Sequence, residues 1–151
     1  MNVTDSFITS LGTAVPKNTV PQAQIARFMA EALGMDEHDQ RRLTALYRQT
    51  RIEQRHSVLP DYNRSRGEYT FYPNTEGLEP FPTVGQRMIL YRQKAVPLAL
   101  KAIDDCLSSY PGFDKQRITH IITISCTGLY APGPDIELIE AMGLPGTTQR
   151  M

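Results

Sequence analysis

The chain has 151 residues, 40% hydrophobic and 21% charged, the size and balance of one ordinary globular domain with a packed core. Sixteen Lys and Arg against sixteen Asp and Glu cancel. That excludes a bulk field aimed at nucleic acid or an anionic membrane and leaves anion binding to local clusters. The two cysteines, Cys106 and Cys126, lie in segments of different type and suggest neither a disulfide framework nor a zinc site. The N-terminus lacks a signal-like basic and apolar pattern, and no apolar run reaches membrane-spanning length. A cytoplasmic protein is expected. No metal-ligand spacing, phosphate-binding glycine loop or dinucleotide fingerprint occurs, so no metal and no cofactor is expected.

In chain order, the apolar run at residues 6–11 before Gly12 reads as a first strand, with Pro16-Lys17-Asn18 as its exit loop. Pro21 suits the first position of a helix. Ile25, Phe28, Met29, Ala32 and Leu33 form a helical stripe, closed by Gly34 in a left-handed cap. A second helix is predicted over 36–50, its acids Asp36, Glu37 and Asp39 in the first turn and its arginines later, as the helix dipole favours. Residues 60–83 carry four prolines and no periodicity, but Tyr62, Tyr69, Phe71, Tyr72 and Phe81 give this stretch too much aromatic surface for a free linker. It reads as a long ordered loop. Helical spacing then runs from Val84 to Tyr110, with Pro97 inside; a proline there costs about 3 kcal/mol in a regular helix, so a kink is predicted near 93–97.

Residues 118–125 are β-branched and nearly apolar, the pattern of a central parallel strand covered on both faces. A last helix follows, capped by Asp135, carrying Ile136, Leu138, Ile139 and Met142 and ended by Gly143. This order predicts an α/β fold in which helices cover a central mixed sheet.

The stretch from Ile118 through Ser125-Cys126-Thr127-Gly128 to Pro132-Gly133-Pro134-Asp135 resembles type III polyketide synthases, the chalcone-synthase-like enzymes of the thiolase fold. Leu11-Gly12-Thr13-Ala14-Val15-Pro16 resembles that family's first strand and turn, and the segment from Tyr47 to His56 resembles its passage from second helix to strand. The resemblance implies that this chain is the N-terminal part of a thiolase-like fold. It further implies a homodimeric acyltransferase that uses acyl-coenzyme A and malonyl-coenzyme A as substrates, binding neither nucleic acid nor membrane. Such chemistry needs a thiolate, a histidine and an asparagine.

Aligned on Pro132-Gly133, Cys126 falls at a cavity-wall position, and the family's nucleophile falls beyond Met151; the resemblance therefore assigns no catalytic residue to these 151 positions. Cys126, Thr127 and Ala131 are the expected cavity wall, with burial in the core as the alternative for Cys126. His38 and His56 lie in or beside surface helical stretches and His120 lies within the strand, so none fits the catalytic base. The resemblance also implies a cis peptide before Pro132, on a loop reaching the partner's cavity. It places Ala131 where plant members commonly have methionine.

Arg41, Arg42, Arg48, Arg51 and Arg55 suit coenzyme A phosphates. Arg42 matches a basic position of the family, whereas Ala45 and Gln49 stand where two others are expected. Arg42 and Arg48 are the expected coenzyme A contacts, against the plainer reading of a solvated face paired with the acids of the same helix. A ketoacyl synthase of the third class and a non-catalytic dimerisation or regulatory module are the alternatives. Because a strand at 119–125 needs neighbours on both sides, the chain by itself is expected to associate or to be marginally stable.

Overall fold

The computed structural model describes residues 5–151, which form two compact units: residues 15–84, and residues 5–14 together with 85–151. In the first unit, strand β1 (Asn18–Pro21) leads directly into helix α1 (Gln22–Ala32), followed by α2 (Glu37–Gln49) and strand β2 (Gln54–Ser57). β1 and β2 pair antiparallel, with Val20 opposite Arg55 and fully buried. Pro21 is the α1 cap rather than its first residue, which suits a proline whose missing N–H neither the strand end nor the helix start requires. Gly34 takes φ of 57°, the left-handed conformation expected of it. Asp36 caps α2 by accepting the Asp39 N–H at 2.9 Å.

The long loop after β2 is ordered, as its aromatic content suggested. Phe28 of α1 is edge-on to Tyr62 and Tyr69, at centroid distances of 4.8 and 5.6 Å, and these rings with Ala32 and Leu78 form the core of this unit. At the centre lies Asp61, with no solvent exposure. Its Oδ1 accepts from the Thr70 N–H and hydroxyl at 3.0 and 2.8 Å, and its Oδ2 from the N–H groups of Phe71 and Tyr72 at 2.8 Å each. A buried carboxylate is tolerable only when its lone pairs are satisfied in this way. Asn74 does similar work nearby, accepting from the N–H groups of Gly67 and Tyr69.

In the second unit, helix α3 (Val84–Ser108) runs as one 25-residue element with Pro97 inside it. β3 (His120–Ile121) pairs in parallel with β4 (Gln149–Arg150) across helix α4 (Pro134–Met142). Gly133 caps α4 and Pro134 occupies its first turn, so the start falls two residues before the predicted Asp135 cap, at a proline whose φ is already helical. Gly143 closes α4 at φ of 65°.

Two strands differ from the sequence reading. Residues 6–11 form no strand, and Phe7 and Ile8 are 80% and 83% exposed. Ser10 instead donates its hydroxyl to the Cys106 carbonyl, and the Thr13 N–H bonds the Asp105 carboxylate, fastening the segment to α3. Gly12 lies so close to the α3 backbone at Ala102 and Cys106 that a β-carbon would overlap it. The predicted strand over 118–125 shortens to His120–Ile121, and Ile124 is 94% exposed. Its apolar pattern is that of a strand covered on both faces, yet among the described residues it has a neighbour only in β4. Among the described residues the β content is thus one antiparallel and one parallel pair.

Candidate functional site

The loop joining β3 to α4 carries the three expected cavity-wall residues. Ser125 accepts the Gly128 N–H at 3.1 Å, closing a tight turn that leaves Cys126 and Thr127 exposed. Cys126 is exposed in the loop after β3 and so is not packed in the core of this unit. Ala131 is also exposed, and its peptide bond to Pro132 is cis. A second cis bond, Glu79–Pro80, lies in the aromatic loop.

The middle of the loop is held by one face of α3, at the i, i+3, i+4 spacing of Met88, Tyr91 and Arg92. The Leu129 N–H is 3.4 Å from the Met88 sulfur. The Tyr91 ring lies against Gly128, where a β-carbon would overlap it, and stands edge-on to the Tyr130 ring at 6.0 Å. Arg92 stacks over Tyr130 at 5.4 Å and pairs with Glu137 of α4 at 3.5 Å. The Tyr130 hydroxyl is enclosed beside the Glu137 carboxylate. Burial, then the nearby Glu137 carboxylate, raises its pKa above the usual tyrosine value, with Arg92 opposing. The sequence places Met88 and Tyr91 on the helical stripe of α3 but assigns neither of them, nor Arg92 or Tyr130, to the site; the signal for them is the helical spacing of 88, 91 and 92 opposite a glycine.

The arginines of α2 divide into two groups. Arg41 pairs with Glu37 at 3.6 Å and Arg42 with Asp39 at 3.7 Å, both well exposed, as on a solvated helix face. Arg48 forms no ion pair among the described residues and lines two hollows. One is an open groove of about 530 Å³ along Glu37, Gln40, Arg41, Thr44 and Ala45; the other, of about 230 Å³, lies between α1 and α2 beside Ala23, Ala26, Tyr47 and Ile52. Arg42 lines neither. Arg55 is committed elsewhere, donating to the buried Gln22 side chain at 2.8 Å.

Each imidazole is engaged locally: His38 with Asp39, His56 with Thr19 and the Pro16 carbonyl, His120 with the Thr119 hydroxyl. Asp36, His38 and Asp39 could present ligand atoms within 4.8 Å of one another. All three are exposed, and two of them already serve as the α2 cap and as the Arg42 partner. Among the described residues no helix is long and apolar enough to cross a membrane.

This fold, with its Ser-Cys-Thr-Gly turn and cis-proline loop, defines a class. The chain belongs to the family of chalcone and stilbene synthases, N-terminal domain, whose model matches residues 2–151. It is 29% identical over 153 residues to type III polyketide synthase A of Arabidopsis thaliana, a match covering 99% of this chain and 36% of that protein. It is 26% identical to the alpha-pyrone synthesis polyketide synthase-like Pks18 of Mycobacterium tuberculosis, covering 98% of this chain and 35% of that one. The chain therefore spans about a third of the length of these curated relatives. Among solved structures, PKS-I from the brown alga Ectocarpus siliculosus superposes with a TM-score of 0.76 at 26% identity, covering 95% of this chain and 38% of that one. The C-terminal type III polyketide synthase domain of Steely1 from Dictyostelium, at 23% identity, shares the fold with a TM-score of 0.78 over 96% of this chain and 38% of its own. The α/β, thiolase-like fold expected from the sequence is thereby established.

Proposed function

We propose that this chain supplies the N-terminal part of a homodimeric type III polyketide synthase. The reaction transfers an acyl group from a coenzyme A thioester to an enzyme cysteine and condenses it with the enolate left by decarboxylation of malonyl-coenzyme A. The observation that carries the reading is the family match over residues 2–151, together with the exposed Cys126 turn and the cis peptide before Pro132. The chain's own residues bind and shape. Arg48, without an ion pair among the described residues, offers its guanidinium on the open face of α2 to the phosphates of a coenzyme A thioester, and Cys126, Thr127 and Ala131 form one wall of the acyl cavity. Neither Cys106 nor Cys126 is assigned the acyl group in this reading: aligned on Pro132-Gly133, the position of the family's nucleophile falls beyond Met151. A copy of the same chain in the dimer contributes its Pro132 loop to the partner's cavity.

The test is condensation by the full-length protein, using labelled malonyl-coenzyme A and a panel of acyl-coenzyme A starters. Formation of pyrone or longer polyketide products is expected. Release of free acid alone, with no carbon–carbon bond formed on any starter, contradicts the proposal.

A further inference from the structure

The loop that carries Cys126, Thr127 and Ala131 is not positioned by those residues, all of which are exposed. It is gripped between them, at Gly128, Leu129 and Tyr130, by three side chains on one face of α3. Met88 meets the Leu129 N–H, Tyr91 fills the space a side chain at 128 would need, and Arg92 covers the Tyr130 ring while tying to Glu137. At Gly128 the loop offers backbone alone, and the far end of the Tyr91 ring is what it meets. An aromatic ring against a glycine leaves no flexible atom to yield on the loop side, so the ring surface sets how far the loop stands off α3. Cys126 and Thr127 on one side of that contact and Ala131 on the other must move with it.

Resting on the proposed acyl-cavity role of this loop, we infer that Tyr91 is a specificity-determining positioning residue. Its ring fixes the reach of the 126–131 wall, and thereby the length of acyl chain accepted, without touching the substrate. Removing the ring lets the loop settle toward α3 and enlarges the cavity on its far side. Tyr91→Ala is then expected to shift the ratio of kcat/KM for long over short straight-chain acyl-coenzyme A starters upward by about threefold or more, the scale on which a few methylenes are discriminated. Tyr91→Phe, which keeps the ring and loses only the hydroxyl, restores the wild-type ratio.

A second readout needs no catalysis. Alkylation of Cys126 by iodoacetamide in the full-length protein, followed by peptide mass mapping, reports the loop directly, with Cys106 on α3 as the internal reference. The Cys126-to-Cys106 rate ratio is expected to change at least about threefold in Tyr91→Ala and to return in Tyr91→Phe. If Tyr91→Ala does not melt cooperatively, Tyr91→Leu is read in its place. An unchanged starter ratio in a folded variant overturns the inference, as does equal acceleration of both cysteines or failure of Tyr91→Phe to restore both readouts. If the wild-type protein condenses no starter, the acyl-cavity role fails, while the alkylation ratio alone still decides whether Tyr91 positions the loop.

Discussion

Asp61 shows how one side chain can organise a long irregular segment. Burial by itself would raise its pKa, but the N–H groups of Tyr72, Thr70 and Phe71, with the Thr70 hydroxyl, outweigh burial and hold the carboxyl below its ordinary value of 3.8. A carboxyl depressed on folding stabilises the native state fully above its unfolded pKa, and the contribution disappears as the pH falls through the folded value. Asp61→Asn keeps one acceptor oxygen and turns an amide NH₂ toward two N–H donors. It is expected to cost about 3 kcal/mol near neutral pH and to flatten the loss of stability below about pH 4. Urea melts of both forms from pH 7 down to pH 3 check this; equal midpoints at neutral pH would show that the four bonds contribute nothing. Tyr130 is a contrasting case, an enclosed hydroxyl beside the Glu137 carboxylate. Tyr130→Phe is expected to change stability by less than about 1 kcal/mol; a clear loss of melting temperature would show that the contact between this hydroxyl and Glu137 stabilises the fold.

At the scale of elements, α2 separates two kinds of arginine that the sequence alone could not distinguish. Three of the five guanidinium groups, Arg41, Arg42 and Arg48, lie on α2; which of them pairs depends on which acids the helix turns toward it. Arg42 meets Asp39 three residues back, whereas Arg48 faces two hollows. In the full-length protein, Arg48→Ala is expected to raise KM for acyl-coenzyme A about tenfold with little change in kcat, the loss of one charge-assisted contact. Arg42→Ala should raise it less than about threefold, since freeing Arg42 from Asp39 already costs part of any phosphate contact. Steady-state kinetics with one starter decides; an equal effect of the two substitutions would remove the distinction drawn from the groove. The helices α1, α2 and α4 were legible because periodicity and glycine caps are local signals. The grip of α3 on Gly128 was not, since it depends on a turn and a helix some forty residues apart in sequence.

At the scale of the whole molecule, the β-structure was the least legible part, and for a physical reason. The apolar run 118–125 records a strand covered on both faces, but strand formation requires backbone partners, and among the described residues β4 alone supplies them. The outcome is a two-residue strand with Ile122 and Ile124 exposed at 63% and 94%. The segment 6–11 was misread in a similar way: its apolar residues look like a strand, whereas Ser10, Gly12 and Thr13 dock it on α3. Burial of these surfaces belongs to partners that local sequence cannot name. The same logic governs the chemistry, because a cysteine at the end of an apolar strand looks like a nucleophile until its surroundings are known. On the proposed function, Cys126 lines a cavity and does not carry the acyl chain. The most direct measurement is peptide mass mapping of the full-length protein quenched after incubation with acyl-coenzyme A alone. The account predicts an acyl thioester on a cysteine other than Cys106 and Cys126; an acyl adduct recovered on Cys126 would contradict it.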